Sequence, residues 1–203
     1  MNHRHILTII ALTLGLAACM GKPTRPSKFY LLSPDPGQPV ASRATATSPV
    51  SIGLGPVTLP EIYDRPQIVT RTDDNQINLA QFERWGGDLN KDLTRTLARN
   101  LMSRLNTDSV ALFPWSGRYK PDFQVTIRFF RLDGQLDEAV TLDGVWRLLD
   151  GSRGCELAAH RFEYQEQTTG AGYPELVDAM SRGVSRLSQK IAEEVASSQP
   201  VCE

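Results

Sequence analysis

Cys19 carries the sharpest chemistry in this chain of 203 residues. Ala17 and Ala18 stand directly before its sulfur, at the end of an apolar run from Ile6 to Leu16 relieved only by Thr8, Thr13 and Gly15. His3, Arg4 and His5 make a basic start. A basic start, a short apolar run and a small-residue end are the zones of a secretory signal. When the residue after the small pair is cysteine, the pattern is that of a bacterial lipoprotein. The sulfur takes a diacylglycerol, and cleavage makes Cys19 the new N-terminus. The run is too short to cross a hydrocarbon core of about 30 Å at 1.5 Å per residue. The expected organisation is a signal peptide over 1–18, a lipidated tether over 19–28 and a single domain over 29–203. Each buried methylene contributes about 0.8 kcal/mol, and two chains already anchor stably. A water-soluble body held at a membrane is the expectation. Met20, where an aspartate would favour inner-membrane retention, points to the outer membrane.

Two thiols remain beyond Cys19. Cys155 and Cys202 form an even pair in a chain expected to be exported, and an oxidising compartment makes them a candidate disulfide. Such a bond would tie the C-terminus to the body and, by chain entropy, contribute on the order of 3–4 kcal/mol. Other reactive groups are scarce. His160 is the only histidine outside the signal segment and has no ligand-spaced neighbours. It reads as a strand histidine facing solvent. No Gly-x-Ser-x-Gly elbow is present, and Gly53-Leu54-Gly55-Pro56 lacks the third glycine and the helix of a dinucleotide loop. The reading is non-enzymatic, with no cofactor and no metal. Without Arg4 the domain and tether carry 21 basic against 23 acidic side chains. A near-neutral balance gives no basic field for nucleic acid.

Two segments carry residue types enriched where proteins meet proteins. In Pro60-Glu61-Ile62-Tyr63-Asp64-Arg65-Pro66, the prolines bound a loop expected to expose Ile62 and Tyr63 beside Asp64 and Arg65. Contact and packing explain Ile62 and Tyr63 equally well. Arg84 and Trp85 stand just before a helix, and Trp85 reads first as a lid over the end of the core.

Positioning these residues falls to a simple set of elements. Phe29 to Leu32 and Val50 to Val57 suit strands. Between them, 34–49 is rich in Pro, Ala, Ser and Thr and reads as a mobile loop. Gln67 to Arg71 and Ile77 to Leu79 flank the turn residues Asp73-Asp74-Asn75 as a hairpin. Leu89, Leu93, Leu97, Leu101 and Leu105 recur every four residues in a helix over Asp88–Asn106, with Ala98 and Met102 widening the stripe and Asp88 as its cap. Strands over Phe123–Phe129, Val140–Leu148 and Cys155–Tyr164 make an antiparallel meander. Pro174 opens a second helix with Leu176, Val177, Met180, Val184, Leu187, Ile191 and Val195 on one face. The fold class expected is α+β: a mostly antiparallel sheet with two amphipathic helices packed on one face.

The ordered set of segments resembles one family through nearly all of the chain after Cys19. Phe29-Tyr30-Leu31-Leu32 comes soon after the cysteine, then Val57-Thr58-Leu59-Pro60 and Tyr63-Asp64-Arg65-Pro66-Gln67-Ile68-Val69. Arg84-Trp85 and Leu89 follow, with the helix through Leu97 and Leu101. Later come Phe129, Leu132, Leu142-Asp143-Gly144-Val145-Trp146, Gly172-Tyr173, Leu187 and Ile191-Ala192. In order and spacing these are similar to the PqiC-like family (paraquat-inducible protein C and relatives) of ABC-type transport auxiliary lipoproteins. The resemblance implies a non-catalytic component of an intermembrane lipid transport system. Its partners would be an MCE-domain periplasmic protein and its membrane permease. It would be held at the periplasmic face of the outer membrane by its acyl chains, docking the transporter there and supporting envelope integrity. Such assemblies are ring-like, which leaves room for a homo-oligomer. The cysteine pair is not part of the resemblance. The alternatives are a stand-alone periplasmic lipid carrier, which needs an apolar hollow, and a general envelope-assembly lipoprotein.

Overall fold

Period-two alternation builds the largest piece of the molecule. The computed structural model describes residues 25–35, 37–40, 49–73 and 75–200. Strands β6 (Phe123–Gly134), β7 (Ala139–Asp150) and β8 (Glu156–Gln167) form the expected antiparallel meander. Phe123, Val125, Ile127 and Phe129 on β6 and Val140, Leu142, Trp146 and Leu148 on β7 are all buried. Asp150 turns the chain from β7 to β8, its Oδ1 accepting the backbone N–H groups of Ser152 and Arg153 at 2.8 Å. Gly144 stands where nothing larger fits. A Cβ there would lie 2.4 Å from the carbonyl oxygen of Arg128 and 2.8 Å from the Phe162 ring.

Where alternation predicts a mostly antiparallel sheet, the structure has two sheets and both are mixed. Strand β2 (Ile52–Thr58) runs parallel to β6, with Leu54 opposite Val125, and takes β5 (Val110–Leu112) on its other side, also parallel. The larger sheet therefore has the order β5-β2-β6-β7-β8. In the smaller sheet β1 (Lys28–Tyr30) lies parallel to β4 (Ile77–Trp85), which forms the expected hairpin with β3 (Gln67–Arg71). Parallel neighbours are joined by long crossovers, so they are far apart in the chain. Alternation within a strand says which face is buried and nothing about the direction of its partner.

Both helices lie side by side on the larger sheet. Helix α1 (Leu89–Arg104) packs on β2 and β5, and α2 (Tyr173–Ser197) on β6, β7 and β8. The leucine stripe of α1 is buried from Leu89 through Leu101, and all seven apolar residues expected to face inward on α2 are buried. Asp88 caps α1 as its position predicts, its Oδ1 accepting the Lys91 N–H at 3.0 Å. The smaller sheet meets the larger where β3 contacts β6.

Candidate functional site

The segment between β2 and β3 is set by its prolines and by one tyrosine. Pro60 opens a short 3-10 turn over Glu61–Tyr63, closed by the Tyr63 N–H donating to Pro60 O and the Asp64 N–H to Glu61 O, both at 3.0 Å. Tyr63 is only 4% exposed, which corrects the expectation of an open loop. Its hydroxyl donates to Asp133 Oδ2 at 2.9 Å and accepts the Leu132 N–H at 3.2 Å. A phenol whose polar tip is satisfied can be buried whole. Asp133, on β6, is itself buried and also accepts from Arg71 Nε on β3 at 2.9 Å and Arg131 Nε at 2.6 Å. One carboxylate thus joins the turn, the smaller sheet and the larger one. Burial, more than any other cause, pushes the Tyr63 hydroxyl up to about 12.

Around this anchor the remaining predicted residues divide. Asp64 is exposed and Arg65 half-buried, and both line a cleft of about 460 Å³ between the turn and the start of α1, together with Glu61, Gly87 and Asp88. Ile62 packs against the core. Trp85 is 5% exposed, the lid that its position predicts, and its backbone N–H donates to Pro66 O at 2.7 Å. Arg84 pairs in register with Gln67, and neither Arg84 nor Trp85 lines the cleft. The structure therefore brings Asp64 and Arg65 together at a surface. It assigns Tyr63 and Trp85 to holding that surface in place. The cleft offers charges for a complementary surface and no nucleophile beside a base. Among the described residues no group of three or more His, Cys, Asp or Glu side chains could hold a metal ion. His160 stacks on Trp146 at 4.6 Å and lies 3.3 Å from Glu194, half exposed.

Cys19 and Cys202 lie outside the described residues, and Cys155 sits at the entry to β8. A family model described as "ABC-type transport auxiliary lipoprotein component" matches residues 30–192. The chain belongs to that family. No curated protein matches this auxiliary lipoprotein. Two solved structures share its fold. The crystal structure of an uncharacterized protein gives a TM-score of 0.68 at 21% identity, covering 84% of this chain and 99% of that one. Protein XCC0632 from Xanthomonas campestris gives 0.62 at 16% identity, covering 82% and 93%. Among its described residues no helix of the auxiliary lipoprotein is long and apolar enough to cross a membrane.

One constellation in this auxiliary lipoprotein escapes a reading by hydrophobic stripes. Asp92, Thr96, Asn100 and Arg104 are all buried on α1, one step round from the leucines at the same four-residue spacing. Two of them meet serines of α2: Asn100 Nδ2 donates to Ser188 Oγ at 3.3 Å, and Arg104 Nη2 to Ser185 Oγ at 2.7 Å. Described residues of 32–40 follow this polar seam. Leu32 N–H donates to Asp92 Oδ2 at 2.8 Å, Ser33 N–H to Ser181 Oγ at 3.1 Å and Val40 N–H to Arg104 O at 2.9 Å. Gly37, at φ +56°, passes so close over the Arg104 guanidinium that a Cβ would lie 2.6 Å from it. The visible signal is two four-residue periods running in parallel on one helix, one of leucine and one of polar residues.

Proposed function

We propose that this auxiliary lipoprotein is acylated at Cys19 and held at the periplasmic face of the outer membrane. There it docks an MCE-domain protein and its permease in an ABC-type intermembrane lipid transport system, supporting envelope integrity. The observation that carries the reading is the family match across residues 30–192, most of the folded body. The mechanism is positioning. Acyl chains moor the tether, and the sheet-and-helix body presents the Glu61–Arg65 turn on a support that cannot easily shift, because Tyr63 and Asp133 pin it to two sheets. A stand-alone carrier would need room for an acyl chain inside. The space between the larger sheet and the helices is filled by Ile52, Leu54, Leu93, Leu97, Val125 and Leu142, all fully buried.

The test is photocrosslinking in living cells with the probe at Glu61 or Asp64, the exposed positions of the turn. The expected adduct is an MCE-domain protein. Adducts to β-barrel assembly or peptidoglycan-binding proteins alone would replace this reading with that of a general envelope lipoprotein.

A further inference from the structure

Large apolar side chains gather at one exposed edge of the molecule. Phe29 and Leu31 alternate outward with the more buried Tyr30 and Leu32, and Phe29 is 68% exposed. Leu112 ends the edge strand β5, and Phe113, 52% exposed, follows it. Two clefts of about 420 and 540 Å³ run along this edge and meet at Arg95 and Leu112. Leu31 and Met102 line one, and Pro56 and Phe113 the other.

The rim of this trough is basic. Lys91, Arg95 and Arg99 are exposed along α1 at four-residue spacing, and each lines one or both clefts. Lys91 meets Asp88 only at 3.7 Å, an exposed pair that contributes little, and Arg95 reaches the buried Asp92 carboxylate at the same distance. Beyond Phe113 the loop continues with Trp115, whose ring meets that of Phe113 edge-on at 5.5 Å, then Arg118, Tyr119 and Lys120. Aromatic rings beside lysine and arginine, around an apolar floor, are the composition that settles at a bilayer's head-group level.

The position of this edge in the chain selects its occupant. Phe29 lies ten residues after Cys19, so even a fully extended tether, at about 3.5 Å per residue, keeps it within roughly 35 Å of the acylated sulfur. Among the described residues, the surface beside the tether's exit is both apolar and rimmed with cations. We propose that this edge rests on the leaflet that holds the anchor. Leu31, Leu112 and Phe113 enter the head-group region, and Arg95 and Arg99 meet anionic phosphates. This rests on acylation at Cys19, and it adds an orientation: the larger sheet stands edge-on to the membrane, with α1 nearest the lipid.

Trp115, half-buried over Gly53 and beside Phe113, is the reporter, because Trp85 and Trp146 are buried. The native acylated protein is reconstituted in vesicles of phosphatidylethanolamine and phosphatidylglycerol whose acyl chains carry bromine. The expected result is quenching of the emission that Trp115→Phe removes. It should be stronger with phosphatidylglycerol than without and lost in Leu31→Asp/Phe113→Asp. Leu31 and Phe113 are exposed side chains, and flotation checks that the protein stays anchored. Arg95→Glu/Arg99→Glu should abolish the preference for phosphatidylglycerol. Protein that floats with the vesicles while Trp115 stays unquenched in every lipid overturns the proposal and assigns the edge to a protein partner. Protein that does not float overturns the acylated anchor, and the orientation with it.

Discussion

At the scale of single residues the decisive group is the Asp133 carboxylate. It is 1% exposed and takes donors from Tyr63, Arg71 and Arg131. Removing a buried acceptor shared by charged donors destabilises by about 3–5 kcal/mol. Arg71 and Arg131 keep partial contact with water, so Asp133→Ala is expected near the lower end, measured by urea unfolding. Tyr63 gives a pH signature. Its hydroxyl ionises near 10 when unfolded and about 12 when folded. The native state therefore holds its proton longer than the unfolded state. The corresponding stability is complete below pH 10 and falls between pH 10 and 12, at about 1.4 kcal/mol per pH unit from this group alone. Tyr63→Phe is expected to shallow that alkaline decline. An unchanged slope would mean that Tyr63 is not held neutral by the fold. This inward turn was hidden in the sequence because the partner of Tyr63 lies seventy positions away. The flanking prolines advertise a loop, and nothing local marks the aspartate.

At the scale of elements, periodicity made the meander, the β3–β4 hairpin and both helices legible, down to Asp88 as cap and Pro174 at the second helix start. It failed on strand direction and on β5, a three-residue strand too short to show alternation. It also passed over the polar seam, since a buried row of Asp92, Thr96, Asn100 and Arg104 looks like the wet side of an amphipathic helix until a second helix and Leu32, Gly37 and Val40 cover it. The central strand contact offers a test of the register. Gly144→Ala would press a methyl group against the Arg128 carbonyl and the Phe162 ring. Overpacking of this kind costs about 1–3 kcal/mol, and here the upper end is expected because one obstacle is backbone. A thermal melt indistinguishable from the parent would show that the β6–β7 register is wrong at this point.

At the scale of the whole molecule, the family assignment was legible in the order of many weak segments, none of which carries chemistry of its own. The candidate site was legible in part. Asp64 and Arg65 reach a surface as the Pro60–Pro66 segment suggested, whereas Tyr63 and Trp85 act from beneath it. The proposed Cys155–Cys202 bond belongs to this scale, since it would close the C-terminus onto the start of β8. Intact mass of the native protein should rise by about two hydrogens on reduction, with a loss on the order of 3–4 kcal/mol of stability in Cys202→Ser. An unchanged mass would contradict the bond. The central claim, that an acylated body docks a lipid transporter at the outer membrane, is tested most directly by affinity capture of the native chain from detergent-solubilised envelopes. The account predicts recovery of an MCE-domain protein with its permease, reduced when Cys19→Ala removes the acylation site. Recovery of neither, or the same yield from the Cys19→Ala chain, would contradict it.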